Sequence, residues 1–87
     1  MRRGLYFTSM TLYQFNSLSE REQEIAMKEA VLLADREAGE YTIYLFQLNN
    51  FYVEVYCHLY DLNLSYYRSF NSVEQLEPYL ESIPLGF

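Results

Sequence analysis

The sequence has 87 residues and a net charge of −6, and 51% of its residues are hydrophobic, with ten tyrosines among them. This length predicts a single small domain. The acidic balance argues against nucleic acid as a partner, since binding of phosphates rests largely on lysine and arginine, and against an anionic membrane surface. Cys57 is the single cysteine, so no intramolecular disulfide can form, and the reducing cytoplasm is the expected location.

The N-terminal segment, residues 1–17, is the least certain part of the chain and precedes a single domain predicted at residues 18–87. Its apolar stretch after Arg3 is interrupted at Thr8, which argues against a signal peptide. No apolar run approaches the ~20 residues of a membrane-spanning helix. Leu12 and Phe15 are expected to contact the core.

The first predicted element is a helix from Ser19 to Ala38. Ser19 and Glu22 have the spacing of a capping box, in which each side chain accepts a hydrogen bond from the backbone N–H of the other residue. Gly39 suits the left-handed position that follows a helix. The apolar stripe that would pack on the sheet consists of Ala26, Met27, Ala30, Val31, Leu33 and Ala34.

A second apolar line on this predicted helix consists of Leu18, Ile25 and Leu32, which recur every seven residues. Two interpretations stay open. Either the N-terminal segment covers this line within the chain, or the line contacts a second chain. The three residues are therefore candidate interface residues.

A predicted hairpin follows, because Asn49-Asn50 suits a two-residue turn and separates two runs rich in β-branched and aromatic residues. Alternate side chains of its strands, residues 41–48 and 51–58, lie on the same face. The more apolar face is expected to contact the helices and carries Tyr44, Phe46, Leu48, Phe51, Val53, Val55 and Cys57. Cys57 is therefore predicted to be a packing residue and not a nucleophile.

The opposite face of the hairpin is amphipathic and rich in tyrosine, and it is expected to be the outer face of the sheet. Its residues are Tyr41, Ile43, Leu45, Gln47, Tyr52, Glu54, Tyr56 and His58. Large exposed apolar patches usually mark interaction sites, so Tyr41, Ile43, Leu45, Tyr52 and Tyr56 are candidate interface residues. Glu54 should lie at the rim of this interface or pair with Arg68.

A third strand is predicted to end at Phe70, with its register left open by the length of the preceding connection. Ser72 and Gln75 suggest a second capping box, and Pro78 should kink or divide the helix that follows. Leu76 and Leu80 are expected to complete the core. The predicted fold is therefore α+β, in the order α-β-β-β-α, with a three-stranded antiparallel meander and two helices on one face.

Three segments carry a resemblance: FYVEV at residues 51–55, RSF at 68–70 and LEPYL at 76–80. Together they resemble a group of short uncharacterised bacterial proteins. The resemblance implies one compact domain. It implies no activity, because none is assigned to that group.

One row of side chains has the chemistry for proton transfer, namely Glu54, Tyr56 and His58. Along a single strand, however, Glu54 and His58 lie about 13 Å apart, too far for contact without help from another strand. Phosphate-binding loops and the zinc-protease and hydrolase motifs are absent from the sequence. We expect neither a cofactor nor a metal ion.

The expected function is that of a small cytoplasmic, non-enzymatic protein–protein interaction module, which self-associates as a homodimer through the tyrosine-rich face. One alternative is a small-molecule binder or minor enzyme with its site at Glu54, Tyr56 and His58. Another is an acidic inhibitor or antitoxin-like protein that binds a basic partner through its charge.

Overall fold

Four strands form one antiparallel sheet in the computed structural model, which describes residues 10–80. The strands are β1 (Val31–Ala38), β2 (Tyr41–Leu48), β3 (Phe51–His58) and β4 (Tyr66–Phe70). They follow one another across the sheet in chain order, so the sheet is a meander. The chain is α+β, as predicted, but the sheet has four strands and not three.

Short helical segments flank the strands. They are α1 (Leu12–Asn16), α2 (Glu20–Ala26) and three 3₁₀-helices at Met27–Glu29, Leu62–Leu64 and Val73–Tyr79. A capping box begins each α-helix, with Thr11 and Gln14 at α1 and Ser19 and Glu22 at α2. The capping box predicted at Ser19 is thus confirmed.

The long helix predicted from Ser19 to Ala38 is wrong beyond Glu29. The second half of that segment is β1, which pairs with β2 from Val31 opposite Gln47 to Ala38 opposite Tyr41. Gly39 has a φ of 62°, and it uses this left-handed conformation in the turn of a hairpin and not at the end of a helix. Glycine is favoured in both settings, so its position in the sequence does not separate them.

The predicted hairpin is confirmed in its register, with Leu48 opposite Phe51. Asn49 takes a φ of 57° in the turn. On the other side of β3, Glu54 lies opposite Arg68 and Tyr56 opposite Tyr66. This pairing fixes the register that the sequence left open and places Arg68 on the face of Glu54.

Both faces of the sheet are packed, each by a different part of the chain. On one face, Phe15 of α1 and Ala26 of α2 form a core with Phe51 and Val53. On the opposite face, the C-terminal 3₁₀-helix forms a second core, which consists of Leu45, Phe70, Leu76 and Tyr79. The described helices therefore do not share one face, contrary to the prediction. The reason is local: Phe70 ends β4 on the face of Glu54, and the 3₁₀-helix starts three residues later.

The predicted core is only partly correct. Val53 and Leu76 are buried, but they belong to different faces, and Leu80 is 49% exposed. In a 3₁₀-helix, residues three apart share a face, so Leu76 and Tyr79 turn inward and Leu80 turns outward. The remainder of the predicted C-terminal helix lies outside the described residues.

Candidate functional site

A buried carboxylate lies at the centre of the sheet. Glu54 on β3 is only 1% exposed. Directly opposite on β4, Arg68 donates from Nη1 to Glu54 Oε1 over 2.7 Å, which confirms the predicted pairing of these residues. From β1, Arg36 Nη2 lies 3.4 Å from Glu54 Oε2. Two strands thus supply the positive charges that a buried carboxylate requires.

Two tyrosine hydroxyls complete the surroundings of Glu54. Tyr79 donates to Oε2 over 2.5 Å, and Tyr56 donates to Oε1 over 3.5 Å. Burial and then the hydrogen bond to Glu54 raise the pKa of Tyr79, and burial likewise raises the pKa of Tyr56. Both hydroxyls therefore keep their protons at neutral pH and serve as donors.

This cluster fastens the C-terminal 3₁₀-helix to the sheet. Arg68 also donates from Nη2 to Gln75 Oε1 over 2.7 Å, and the Arg36 guanidinium lies 5.2 Å from the centre of the Tyr79 ring. Each oxygen of Glu54 already has two partners. The carboxylate therefore joins β1, β3, β4 and the C-terminal 3₁₀-helix through its hydrogen bonds.

His58 does not join this cluster. Its Nε2 lies 3.1 Å from Glu40 Oε1, and its Nδ1 accepts hydrogen bonds from the backbone N–H groups of Tyr60 and Asp61 over 3.2 and 3.1 Å. This network places the ring proton on Nε2. The structure brings Glu54 and Tyr56 together, as the proposed row requires, but the ring of His58, at the end of β3, contacts Glu40 and the backbone of the following loop instead.

The loop after β3 exposes large apolar side chains while its backbone is held in place. Five side chains, which we call the loop patch, are between 48% and 81% exposed: Leu59, Tyr60, Leu62 and Leu64 on the loop, and Tyr66 at the start of β4. Tyr41 donates from its hydroxyl to the carbonyl of Leu64 over 3.2 Å, and the N–H of His58 donates to Ser65 Oγ over 3.1 Å. A fixed backbone that presents apolar side chains to solvent suits a docking surface.

Stacked aromatic rings support the loop patch from the sheet. The rings of Tyr56 and Tyr66 stack with their centres 4.5 Å apart. Tyr41 meets both of them edge-on, at 5.7 and 5.8 Å. Tyr41 and Tyr56, two of the predicted interface residues, are thus half-buried in the base of the loop patch. Aromatic pairs in such geometries stabilise each other, which keeps this base rigid.

Three other predicted interface residues belong to the interior. Ile43 and Leu45 are completely buried. Tyr52 is half-buried and stacks on Phe70, with 5.4 Å between the ring centres. Leu45 and Phe70 lie in the core beneath the C-terminal 3₁₀-helix. This part of the predicted outer face is therefore covered by the chain itself.

The line of Leu18, Ile25 and Leu32 does not lie along one helix. Leu18 precedes α2 and packs against the core on the face of Val53. Ile25 is exposed on α2, and Leu32 is exposed on β1. The seven-residue spacing therefore does not place these residues on one side of a helix, because the chain leaves the helical conformation before Val31.

A groove of about 520 Å³ lies beside the loop patch, between α2 and the edge of β4. One wall carries Glu20 and Glu24 of α2, and the other carries Leu62, Tyr66 and Tyr67. Both carboxylates are exposed, and neither has an ion-pair partner within residues 10–80. Sequence reasoning missed this groove, because it exists only where α2 packs next to β4.

No protein-family model matches the chain, and no curated protein or solved structure matches it either. Within residues 10–80, no three side chains of the metal-binding types come together. The helices in the same part of the chain are all too short or too polar to cross a membrane. The surface geometry is therefore the remaining guide to function.

Proposed function

We propose that the chain is a non-enzymatic protein-binding module whose contact surface is the loop patch. One observation carries this proposal: four large apolar side chains are exposed on the loop between β3 and β4, Tyr66 is exposed beside them at the start of β4, and hydrogen bonds fix the backbone of this loop. Large apolar side chains exposed near one another on a monomeric protein often mark an interaction site. A fixed loop also loses little conformational entropy on binding, so more of the contact energy contributes to affinity.

The state of the two most reactive groups supports a binding role over an enzymatic one. Both oxygens of Glu54 accept hydrogen bonds from arginine and tyrosine side chains. His58 uses both ring nitrogens, one with Glu40 and the other with the loop backbone. An enzyme or small-molecule site at Glu54, Tyr56 and His58 would need to break these contacts first, which disfavours that alternative.

A second copy of the chain is one candidate partner. The dimer expected through the tyrosine-rich face would use Ile43 and Leu45, but these side chains are buried in the structure. Self-association would instead bring two loop patches together about a twofold axis. The charge of −6 on each chain opposes such a dimer, so its formation should increase with salt concentration.

A peptide-display selection on the immobilised chain tests the protein-binding function. The informative variant is Leu62→Ser, and the matched control is Val73→Ser, which changes a similarly exposed side chain at the other end of β4. Selected peptides should bind the control as they bind the unmodified chain and should bind Leu62→Ser about tenfold more weakly. Selection of no peptide, or of peptides that bind Leu62→Ser equally well, would contradict the proposal.

Self-association is measured on the same proteins by sedimentation velocity. A dimer through the loop patch should dissociate in Leu62→Ser and persist in Val73→Ser. A monomer for the unmodified chain at high salt would exclude a second copy as the partner and leave a different protein as the ligand.

A further inference from the structure

We infer that the partner presents a cationic segment: the groove beside the loop patch takes a lysine or arginine side chain, while an adjacent apolar residue of the same segment rests on the loop patch. This inference depends on the proposed protein-binding function, because it names the chemistry of the ligand for the same surface.

The two walls of the groove offer complementary contacts to such a segment. Glu20 and Glu24 are one turn apart on α2 and therefore lie on the same side of the helix. Across the groove, Tyr67 provides aromatic surface, and a cation is attracted to the face of such a ring. Leu62 belongs both to the groove and to the loop patch, so the two contact regions are continuous.

The charges of the groove are not compensated within the described part of the chain. Neither Glu20 nor Glu24 has an ion-pair partner among residues 10–80. Like charges four residues apart on a helix repel each other, and a bound cation would relieve this repulsion. Burial, followed by the negative charge of Glu24, raises the pKa of Tyr67, which agrees with a negative potential at the groove.

None of the basic side chains of the described residues forms an ion pair with Glu20 or Glu24. Arg36 and Arg68 are paired with Glu54 on the opposite face of the sheet. Arg21 and Lys28 are the remaining basic side chains in that part of the chain. With a net charge of −6, the chain should attract basic segments from a distance and repel nucleic acid and anionic lipid.

Three synthetic peptides of equal length and equal leucine content test the inference, with arginine, glutamine or glutamate at the polar positions. Their binding to the full chain is measured by fluorescence anisotropy. The arginine peptide should bind most tightly and lose affinity as salt is added, the glutamine peptide should bind more weakly, and the glutamate peptide should bind least.

A pair of double variants locates the charge effect. Glu20→Gln with Glu24→Gln removes the carboxylates of the groove, and affinity for the arginine peptide should fall about fivefold or more. Glu29→Gln with Glu37→Gln makes the same change in net charge at exposed positions outside the groove, and affinity should fall by less than about twofold. Circular dichroism checks that α2 remains folded in both proteins.

The outcomes separate this inference from the function on which it depends. If the arginine and glutamine peptides bind equally and both lose affinity on Leu62→Ser, the loop patch binds protein without charge selection and the inference is overturned. An equal loss in the two double variants would also overturn it, because the groove would then have no special role. If no peptide binds in a manner that depends on Leu62, the proposed function itself fails.

Discussion

Tyr79 donates a hydrogen bond to Glu54 over 2.5 Å, although the two residues are 25 positions apart in the sequence. The contact joins the C-terminal 3₁₀-helix to the central strand β3. Arg36 reinforces it, because its guanidinium lies close to both Glu54 and the Tyr79 ring. A carboxylate buried so deeply is stable only with such partners. The cluster therefore helps to determine which face of the sheet the C-terminal segment covers.

Replacing Glu54 with glutamine should lower the free energy of unfolding by about 2 kcal/mol. The amide preserves the volume but leaves Arg36 and Arg68 without their counter-charge. Both arginines are partly exposed, so water limits the loss. The control Glu77→Gln changes an exposed carboxylate and should stay within about 0.5 kcal/mol. Urea unfolding measures the stability of both variants. Equal unfolding midpoints for Glu54→Gln and Glu77→Gln would show that the ion pairs of Glu54 contribute nothing to stability.

Stability should decrease as the pH rises above about 10, the ordinary pKa of tyrosine. Burial and the hydrogen bond to Glu54 raise the pKa of Tyr79 in the folded state, and burial also raises those of Tyr56 and Tyr67. The unfolded chain therefore releases these protons at lower pH than the folded chain does. The stabilisation is complete below the unfolded pKa and is lost as the pH rises toward the folded value.

The variant Tyr79→Phe isolates the contribution of one hydroxyl to this pH dependence. At neutral pH it should cost about 1–2 kcal/mol, because Glu54 loses a donor. At alkaline pH the difference from the unmodified chain should shrink, since Phe has no proton to lose. Urea unfolding at neutral and alkaline pH measures both effects. A difference that stays constant would contradict the assigned role of Tyr79.

The part of the fold that follows from local sequence is the hairpin of β2 and β3. Asn49 tolerates the positive φ of the turn, and the turn length then fixes every pair in the ladder. The segment of β1 carries no such local signal. Its apolar residues Val31, Leu32 and Leu33 fit a helix as well as a strand. Gly39 likewise suits both the end of a helix and the turn of a hairpin. Pairing with β2 makes this segment a strand, and that pairing is a tertiary interaction, which local sequence does not encode.

The candidate site was harder to predict than the fold. Glu54 is a lone charge in an otherwise apolar strand, and this pattern indicated a carboxylate in need of a partner. The partner Arg68 could be suggested, but the register of β4 was open. The sequence pattern places Arg36 on a helix, so it does not predict the approach of Arg36 to Glu54. The loop patch gives no periodic signal, because its side chains come from a loop, from the short 3₁₀-helix Leu62–Leu64 and from the first residue of β4.

The short helix α1 should contribute strongly to stability. Phe15 is 1% exposed, and its ring centre lies 5.8 Å from that of Phe51 and 6.0 Å from that of Tyr67. Phe15→Ala should therefore lower the free energy of unfolding by about 3–5 kcal/mol. Tyr13→Ala, in the same helix but 78% exposed, should change it by less than about 0.5 kcal/mol. Similar urea midpoints for the two variants would show that α1 is not docked on the sheet.

Replacing His58 with alanine should weaken partner binding without altering any side chain of the loop patch. The Nδ1 atom of His58 accepts hydrogen bonds from the N–H groups of Tyr60 and Asp61, and its loss frees both donors to exchange with solvent. The loop then has to be ordered when the partner binds, which costs about 1–2 kcal/mol and lowers affinity roughly tenfold. Amide hydrogen exchange should accelerate at Tyr60 and Asp61 but not at Val53 in the core.

Glu40→Gln is the matched control for this prediction. It leaves the Nδ1 contacts of His58 in place, and its amide oxygen can still accept the proton of Nε2. Loop exchange and affinity for the arginine peptide should therefore stay close to those of the unmodified chain. If His58→Ala and Glu40→Gln behave alike in both measurements, the ring of His58 does not hold the loop, and the order of the loop patch must depend on the contacts of Tyr41 and Ser65.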